Sequence, residues 1–322
     1  VRPKFSIIIP SRNHDSLLVD TLTSVRTQQI SPDAFEIIVV DDGSTDETPE
    51  RVAPFLDGKL PLVRYVRQKP LGLNAARNHG LREATGDFIV FTDDDVEVPP
   101  NWLATYEEAI AKFPDAGALG GPVIPRLEGD APRPRLCGGC GTLEEMEAYD
   151  RGDKDIEIPW VIGANFGFPR KTLETVGFFN ENIPCWQGDE TEWLIRLRRA
   201  GGTIIYIARA GLIHRRPTDV VQRMIVTRKY YKAKGGVWYA RETGGKLPRP
   251  MKALLEMARW KFHHWRARCF LGAVRAAVHR GVFVGWLQWI LLKRGNPCRD
   301  TFWTQSETAT SRITPAAATL KD

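Results

Sequence analysis

Cysteine is scarce. Five in 322 residues, odd in number and scattered at Cys137, Cys140, Cys185, Cys269 and Cys298, exclude the disulfide framework of a small secreted domain and suit a reducing compartment. Long hydrophobic runs are missing too. The apolar stretch Gly281–Leu292 falls well short of the ~20 residues a spanning helix needs, and Arg275, His279 and Arg280 interrupt it upstream. There is no internal repeat. The sequence starts at Val1 without a methionine, and the residues after it read as a core strand, so the basic, apolar and small-residue regions of a signal peptide are not expected. A cytoplasmic location, peripheral to the membrane face, is the expectation.

Acidic residues are nearly absent from one third of the chain. Residues 209–300 hold 21 Lys/Arg against 4 Asp/Glu, so the net charge of +6 conceals a basic C-terminal part and a net acidic remainder. A basic surface suits a polyanionic partner such as phospholipid, diphosphate or nucleic acid, and an acidic one suits a metal. Six of the ten tryptophans also lie beyond residue 209, interleaved with Lys and Arg in MARWKFHHWRARCF and GVFVGWLQWILLKR. That pattern fits helices lying in an anionic headgroup interface, and equally a helical subdomain that packs Trp inward.

What remains is an ordinary globular composition, 43% hydrophobic and 26% charged, enough for one large core with a smaller appendage. Phe5–Pro10, Phe35–Asp41, Leu62–Arg67 and Phe88–Thr92 are short, β-branched and nearly continuously apolar, as parallel strands covered on both faces should be. Helical patterns separate them at Asp15–Gln28, Thr45–Phe55 and Leu73–Ala84, the second with Ser44 and Glu47 in the spacing of a capping box. The alternation predicts an α/β fold with a mostly parallel, Rossmann-like sheet flanked by helices. Further on, a helix after Pro99-Pro100, a strand at Ala116–Pro125, a long loop at Glu128–Asp155, an ordered segment at Trp160–Phe168, helices at Arg170–Val176 and Glu190–Ala200 and a strand at Thr203–Ala208 are expected. The chain divides into a catalytic domain over 1–216, a basic helical region over 217–303 and a disordered tail over 304–322.

Three acidic clusters stand at element ends: Asp41-Asp42 after the second strand, Asp93-Asp94-Asp95 after the fourth and Asp189-Glu190 at a helix start. The carboxyl ends of parallel strands open onto the ligand crevice, so the first two clusters should share a cleft. Crowded carboxylates repel one another unless a cation is present, and hard oxygen ligands select Mg²⁺ or Mn²⁺. Each cluster also has a plain structural reading, as a capped turn, a solvated loop or a helix-start acid. Cys137-Gly-Gly-Cys140 has the spacing of a redox or zinc pair, but no second pair accompanies it.

The segments FSIIIPSRN, IIVVDDGSTDETP, GLNAARNHGLREATGDFIVFTDDDVEVP, GANFGFPRKTLETVGFFNE and GDETEWLIRLRRAGG, in that order over residues 4–216, resemble glycosyltransferase family 2. The resemblance implies a GT-A fold, a nucleoside-diphosphate sugar donor, UDP-linked by default, and inversion at the anomeric carbon. On it, Pro10 and Ser11 edge the nucleotide pocket, Asp42 contacts the base, and Asp94 belongs to the donor-binding stretch. Asp93 and Asp95 form the DXD motif, Asp95 as a metal ligand and Asp93 beside ribose or metal, with His214 completing the metal site. The family's Glu-Asp pair appears inverted as Asp189-Glu190. Glu190 takes the base position, and Asp189 remains its alternative. Asn165 and Trp186 are acceptor-side candidates, Trp186 as a sugar-stacking platform. A glycan or lipid-linked acceptor and an anionic membrane surface are the implied partners. Two other readings stand beside this one. A nucleotidyltransferase that makes the activated sugar lacks an early Gly-rich, basic triphosphate loop, and a nucleic-acid binder would leave the acidic clusters unexplained.

Overall fold

The computed structural model describes residues 2–130, 142–182, 189–218 and 249–292, with isolated positions between 226 and 237. Parallel strands β1 (Phe5–Ser11), β2 (Phe35–Asp41), β3 (Leu62–Arg67) and β4 (Phe88–Thr92) form one half of the main sheet, where β1 is hydrogen-bonded to both β2 and β4. Every residue of β1, β2 and β4 is buried, as their unbroken apolar runs require. Helices α1 (Asp15–Arg26), α2 (Thr48–Val52) and α3 (Leu73–Glu83) make the crossovers.

The second half departs from simple parallel winding. Strand β5 (Val96–Glu97) and helix α4 (Trp102–Lys112) lead to β6 (Ala116–Gly120) and β7 (Val123–Glu128). The predicted single strand over 116–125 is therefore two, which enter different sheets. A Cβ on Gly121, between them, would collide with the Ala210 carbonyl, so the chain turns where it passes closest to another backbone. After α5 (Leu143–Glu147) and β8 (Ile156–Glu157), strand β9 (Asn165–Pro169) inserts antiparallel between β4 and β6. Helices α6 (Thr172–Val176) and α7 (Asp189–Arg199) precede β10 (Thr203–Tyr206) and β11 (Leu212–Pro217). The main sheet runs β3-β2-β1-β4-β9-β6-β10-β8, and a small sheet runs β5-β11-β7. Two long helices, α8 (Pro250–Ala267) and α9 (Phe270–Leu292), follow. No described helix is long and apolar enough to cross a membrane.

The expected capping box at Ser44 and Glu47 does not form. Helix α2 begins at Thr48, whose backbone N–H and hydroxyl both donate to Asp46 Oδ1, while Ser44 Oγ accepts from the Asn13 N–H at 3.0 Å. A capping box exists instead inside the predicted long loop, where Thr142 and Glu145 satisfy each other's backbone N–H groups at the start of α5. The Cys137/Cys140 pair and the tail over 304–322 lie outside the described residues.

One buried ion pair ties the first three strands together. Glu36 on β2 accepts from the Ser6 hydroxyl at 2.6 Å, the Thr85 N–H at 2.6 Å and Arg64 Nη2 at 2.9 Å. Burial pushes its carboxyl up, but these donors outweigh that and hold it below the usual range. Glu36→Gln should destabilise the chain by about 2–3 kcal/mol at neutral pH, less than a fully buried pair because Arg64 stays partly exposed. A depressed folded pKa contributes stability above the unfolded value of about 4.3 and loses it as pH falls through the folded one. Urea titrations should therefore show the gap between parent and variant closing below about pH 4, and a gap constant with pH would refute the role.

Candidate metal and donor site

The carboxyl ends of β1, β2 and β4 lie side by side in the sheet, which brings Pro10, Ser11, Asp42 and the 93–95 cluster to one edge. Beyond β4 the chain turns through Asp93–Asp95 into β5, and β11 runs antiparallel to it with His214 opposite Val96. The Arg215 N–H donates to the Asp95 carbonyl at 2.8 Å, which locks that register. His214 Nε2 consequently lies 2.7 Å from Asp95 Oδ1 and 3.5 Å from Asp93 Oδ2. Each of the three residues offers a ligand atom within 4.8 Å of the others, the one such cluster among the described residues. Two carboxylates and an imidazole suit a borderline-hard divalent ion such as Mn²⁺ or Mg²⁺.

Burial pushes the Asp93 carboxyl up, with only partial relief from His214, and Asp95 adds to the rise. Burial acts on Asp95 in the same direction, but Arg216, 2.9 Å from Oδ2, and His214 overcome it and hold that carboxyl well below its ordinary range. Asp93 is thus the under-compensated charge of the pair, as expected of a site that accepts a cation. Two buried hydroxyls at the same strand ends, Ser11 Oγ and Thr92 Oγ1, have no hydrogen-bond partner among the described residues. Buried polar atoms are seldom left so, and both stand where a polar donor would bind.

The other predicted residues have more specific jobs. Asp94 pairs with His14, Nδ1 to Oδ1 2.9 Å, and that carboxylate drives the half-exposed imidazole up to about 9. Asp42 is buried and already engaged, its carboxylate accepting from Gln68 Nε2 at 2.7 Å and from the Leu71 and Gly72 N–H groups at 2.8 Å. It clamps the loop before α3 to the end of β2, so any contact with a nucleotide base would add to this role. Gly43, next to it, has a φ of +77°, and a Cβ there would meet Pro70 Cδ at 2.8 Å.

Asn165 is corrected. It is fully buried, accepts from Trp102 Nε1 at 3.1 Å and the Tyr106 hydroxyl at 2.9 Å, and donates to the Pro122 and Ala210 carbonyls at 2.9 and 2.7 Å. All four of its hydrogen bonds are spent inside the protein, which leaves its side chain no free group for an acceptor. Trp186 and the Asp189 side chain lie outside the described residues. Glu190, in the first turn of α7, is half-buried, and its carboxylate lies beside Gly163. A Cβ on Gly163 would lie 3.0 Å from Glu190 Oε2 and would collide with Arg77 Nη2.

Arg77 and Arg216 were missed by sequence reasoning. Arg77 is buried on α3, its guanidinium over Phe91 and Phe179 at 5.9 and 5.6 Å, and its charge acts on Asp93. Its setting in LNAARNHG, with Ala75, Ala76 and Gly80 as the small neighbours, carries no sequence sign of that burial. Arg216 follows His214 by two along β11, the spacing that returns a strand to the same face.

A sequence model described as "Glycosyl transferase family 2" matches residues 6–177. Validoxylamine A glucosyltransferase of Streptomyces hygroscopicus subsp. limoneus is 29% identical over 222 residues, 62% of this chain and 49% of its own. Chondroitin synthase of Escherichia coli is 28% identical over 244 residues, 66% of this chain and 34% of its own. The chain thus spans half or less of the length of these curated relatives. A mannosyltransferase of Pyrobaculum calidifontis, solved with GDP-Man and Mn²⁺, superposes with a TM-score of 0.57 at 21% identity, over 97% of this chain and 80% of its own. At that identity the likeness establishes the fold, the GT-A type anticipated above.

Replacing Asn165 by Ala would remove the partner of Trp102 Nε1, the Tyr106 hydroxyl and the Ala210 carbonyl, while the Pro122 carbonyl keeps the Leu212 N–H, and should cost about 3–5 kcal/mol of stability, read by chemical denaturation. An acceptor-binding residue would instead lose transfer at unchanged stability, and that outcome would reinstate the original assignment.

Proposed function

The chain belongs to glycosyltransferase family 2, and from that premise we propose that it transfers a sugar from a nucleoside-diphosphate donor to an acceptor hydroxyl with inversion at the anomeric carbon. The observation that carries the proposal is the Asp93, Asp95 and His214 cluster at the ends of parallel strands, with the Glu190 carboxylate approaching over Gly163 from a different element. Asp93, Asp95 and His214 would hold the divalent ion, Mn²⁺ or Mg²⁺, which when bound supplies Lewis-acid stabilisation of the diphosphate as it leaves. Pro10, Ser11 and Asp42 border the nucleotide. Arg77 and Arg216, two buried or half-buried cations beside the cluster, add positive charge where the leaving group gains negative charge.

An acceptor hydroxyl is a poor nucleophile until a carboxylate takes its proton. Glu190 has that role here, and direct displacement by the deprotonating oxygen on the face opposite the leaving diphosphate inverts the configuration. The donor is a UDP- or GDP-type nucleotide sugar, in view of the GDP-Man bound to the mannosyltransferase relative in fold. The acceptor class is a glycan or a lipid-linked oligosaccharide, since a relative is a synthase of the polysaccharide chondroitin.

A panel of nucleotide sugars screened for metal-dependent hydrolysis tests the donor half without an acceptor. Asp95→Asn should remove metal-dependent turnover while leaving the circular-dichroism spectrum unchanged, because one ligand charge is lost. Full turnover in excess chelator would contradict the metal assignment.

Glu190→Gln keeps the shape and removes the basicity. It should lower transfer by ~10²–10⁴-fold with donor affinity within a few-fold of the parent. If Asp189→Asn has that effect and Glu190→Gln stays active, the base is Asp189.

A further inference from the structure

Helices α8 and α9 form a hairpin, and α8 faces it with one side only. Ala253 is buried, Arg275 of α9 lies over the Trp260 ring at 4.4 Å, and His264 Nδ1 is 2.8 Å from the Cys269 carbonyl. A Cβ on Gly272 would lie 2.9 Å from the His264 backbone nitrogen, so the two helices meet closely there.

The opposite side of α8 is uncovered. Met251, Leu255, Ala258, Phe262 and Trp265 are all exposed, and their spacing of i, i+4, i+7, i+11 and i+14 confines them to an arc of roughly 80°. The four large ones are 65%, 66%, 56% and 75% exposed, and the Phe262 and Trp265 rings lie 5.7 Å apart as one aromatic pair. Lys252, Arg259 and Arg266 border the stripe on one side and Lys261 on the other, all exposed. The one acid on the helix, Glu256, is 3.7 Å from Arg259.

We propose that this stripe is a docking surface for an anionic lipid bilayer, with α8 lying in the headgroup interface, Phe262 and Trp265 inserted, and the flanking Lys and Arg bound to lipid phosphates. Charge decides between occupants. A second copy of the chain would bring the same cationic flanks against these in an antiparallel helix pair, so the four cations of each copy would repel those of the other with one acid per copy to offset them. Anionic headgroups meet both flanks at once, and long basic side chains extend outward from an inserted apolar stripe to reach them. Each Lys or Arg near such a surface adds attraction that salt screens. The inference goes beyond the transferase reading and does not depend on donor chemistry.

Co-sedimentation of the full chain with vesicles of phosphatidylcholine, alone or mixed with phosphatidylglycerol, tests it. The chain should bind the mixed vesicles, lose affinity as salt rises and leave neutral vesicles alone. The pair F262S/W265S should weaken binding by at least ~10-fold with an unchanged circular-dichroism spectrum, since both side chains are already in solvent. R259E/R266E should remove the preference for phosphatidylglycerol. No binding to either vesicle, or binding that survives both double variants, overturns the proposal. So does a parent dimer in sedimentation velocity that F262S/W265S dissolves, which would assign the stripe to a second copy. Nucleotide-sugar hydrolysis by the parent, measured without vesicles, reads the transferase proposal separately.

Discussion

The pairing of β11 with β5 is the constraint on which the metal cluster depends. Strand β5 is only two residues long, and among the described strands it pairs with β11 alone. Two contacts fix the register, His214 opposite Val96 and the Arg215 N–H on the Asp95 carbonyl. A slip of one residue would turn His214 and Arg216 to the other face and leave the buried Asp95 and the half-buried Asp93 without these partners. The register is in turn pinned from below by Asn165. Its amide donates to the carbonyls of Pro122, just before β7, and Ala210, just before β11, so one buried side chain holds the entry of both strands of the small sheet. Gly121 makes the approach possible, because any Cβ there would strike Ala210.

Charge compensation explains why so acidic a crevice folds. Asp41 is buried against the Tyr65 hydroxyl, Arg67 and the Ser44 N–H, Asp42 against three N–H donors, Asp94 against His14 and Asp95 against His214 and Arg216. Asp93 is the exception, with His214 at 3.5 Å as its nearest described ion-pair partner. A chain that satisfies four buried carboxylates and leaves the half-buried Asp93 raised concentrates its electrostatic deficit at one side chain, where a cation relieves it most. The arrangement lets the fold stand without the ion and still favours it.

The parallel half of the fold was legible because β1, β2 and β4 are buried on both faces, which shows directly as unbroken runs of Ile, Val and Phe. The grouping of Asp93, Asp95 and His214 was reached through the family resemblance, and the fold brings the three together. The rest was hidden for one physical reason, the sequence distance of the partners. Asn165 read as a polar residue near an acceptor because its four partners come from positions 102, 106, 122 and 210. The break between β6 and β7 depends on the passage of Ala210, and the cap of α2 moved to Asp46 because Ser44 was already accepting from Asn13. Tryptophan content was visible as a basic, aromatic C-terminal region, but only the hairpin separates Trp260, covered by Arg275, from Trp265, which is not.

The same small sheet links the two ends of the molecule's chemistry. Val274 of α9 packs on Leu127 of β7, and β7 pairs along its length with β11, the strand that carries His214. Among the described residues, a path from the exposed face of α8 through α9 and β7 to the metal cluster runs through packed helices and hydrogen-bonded strands. Elements joined in this way transmit position, because neither a sheet register nor a packed helix pair deforms continuously. If α8 rests on a bilayer, the cluster then stands at a set height above it. An acceptor anchored in that bilayer would present its hydroxyl to Glu190 only when the sugar chain or headgroup between them matches that height.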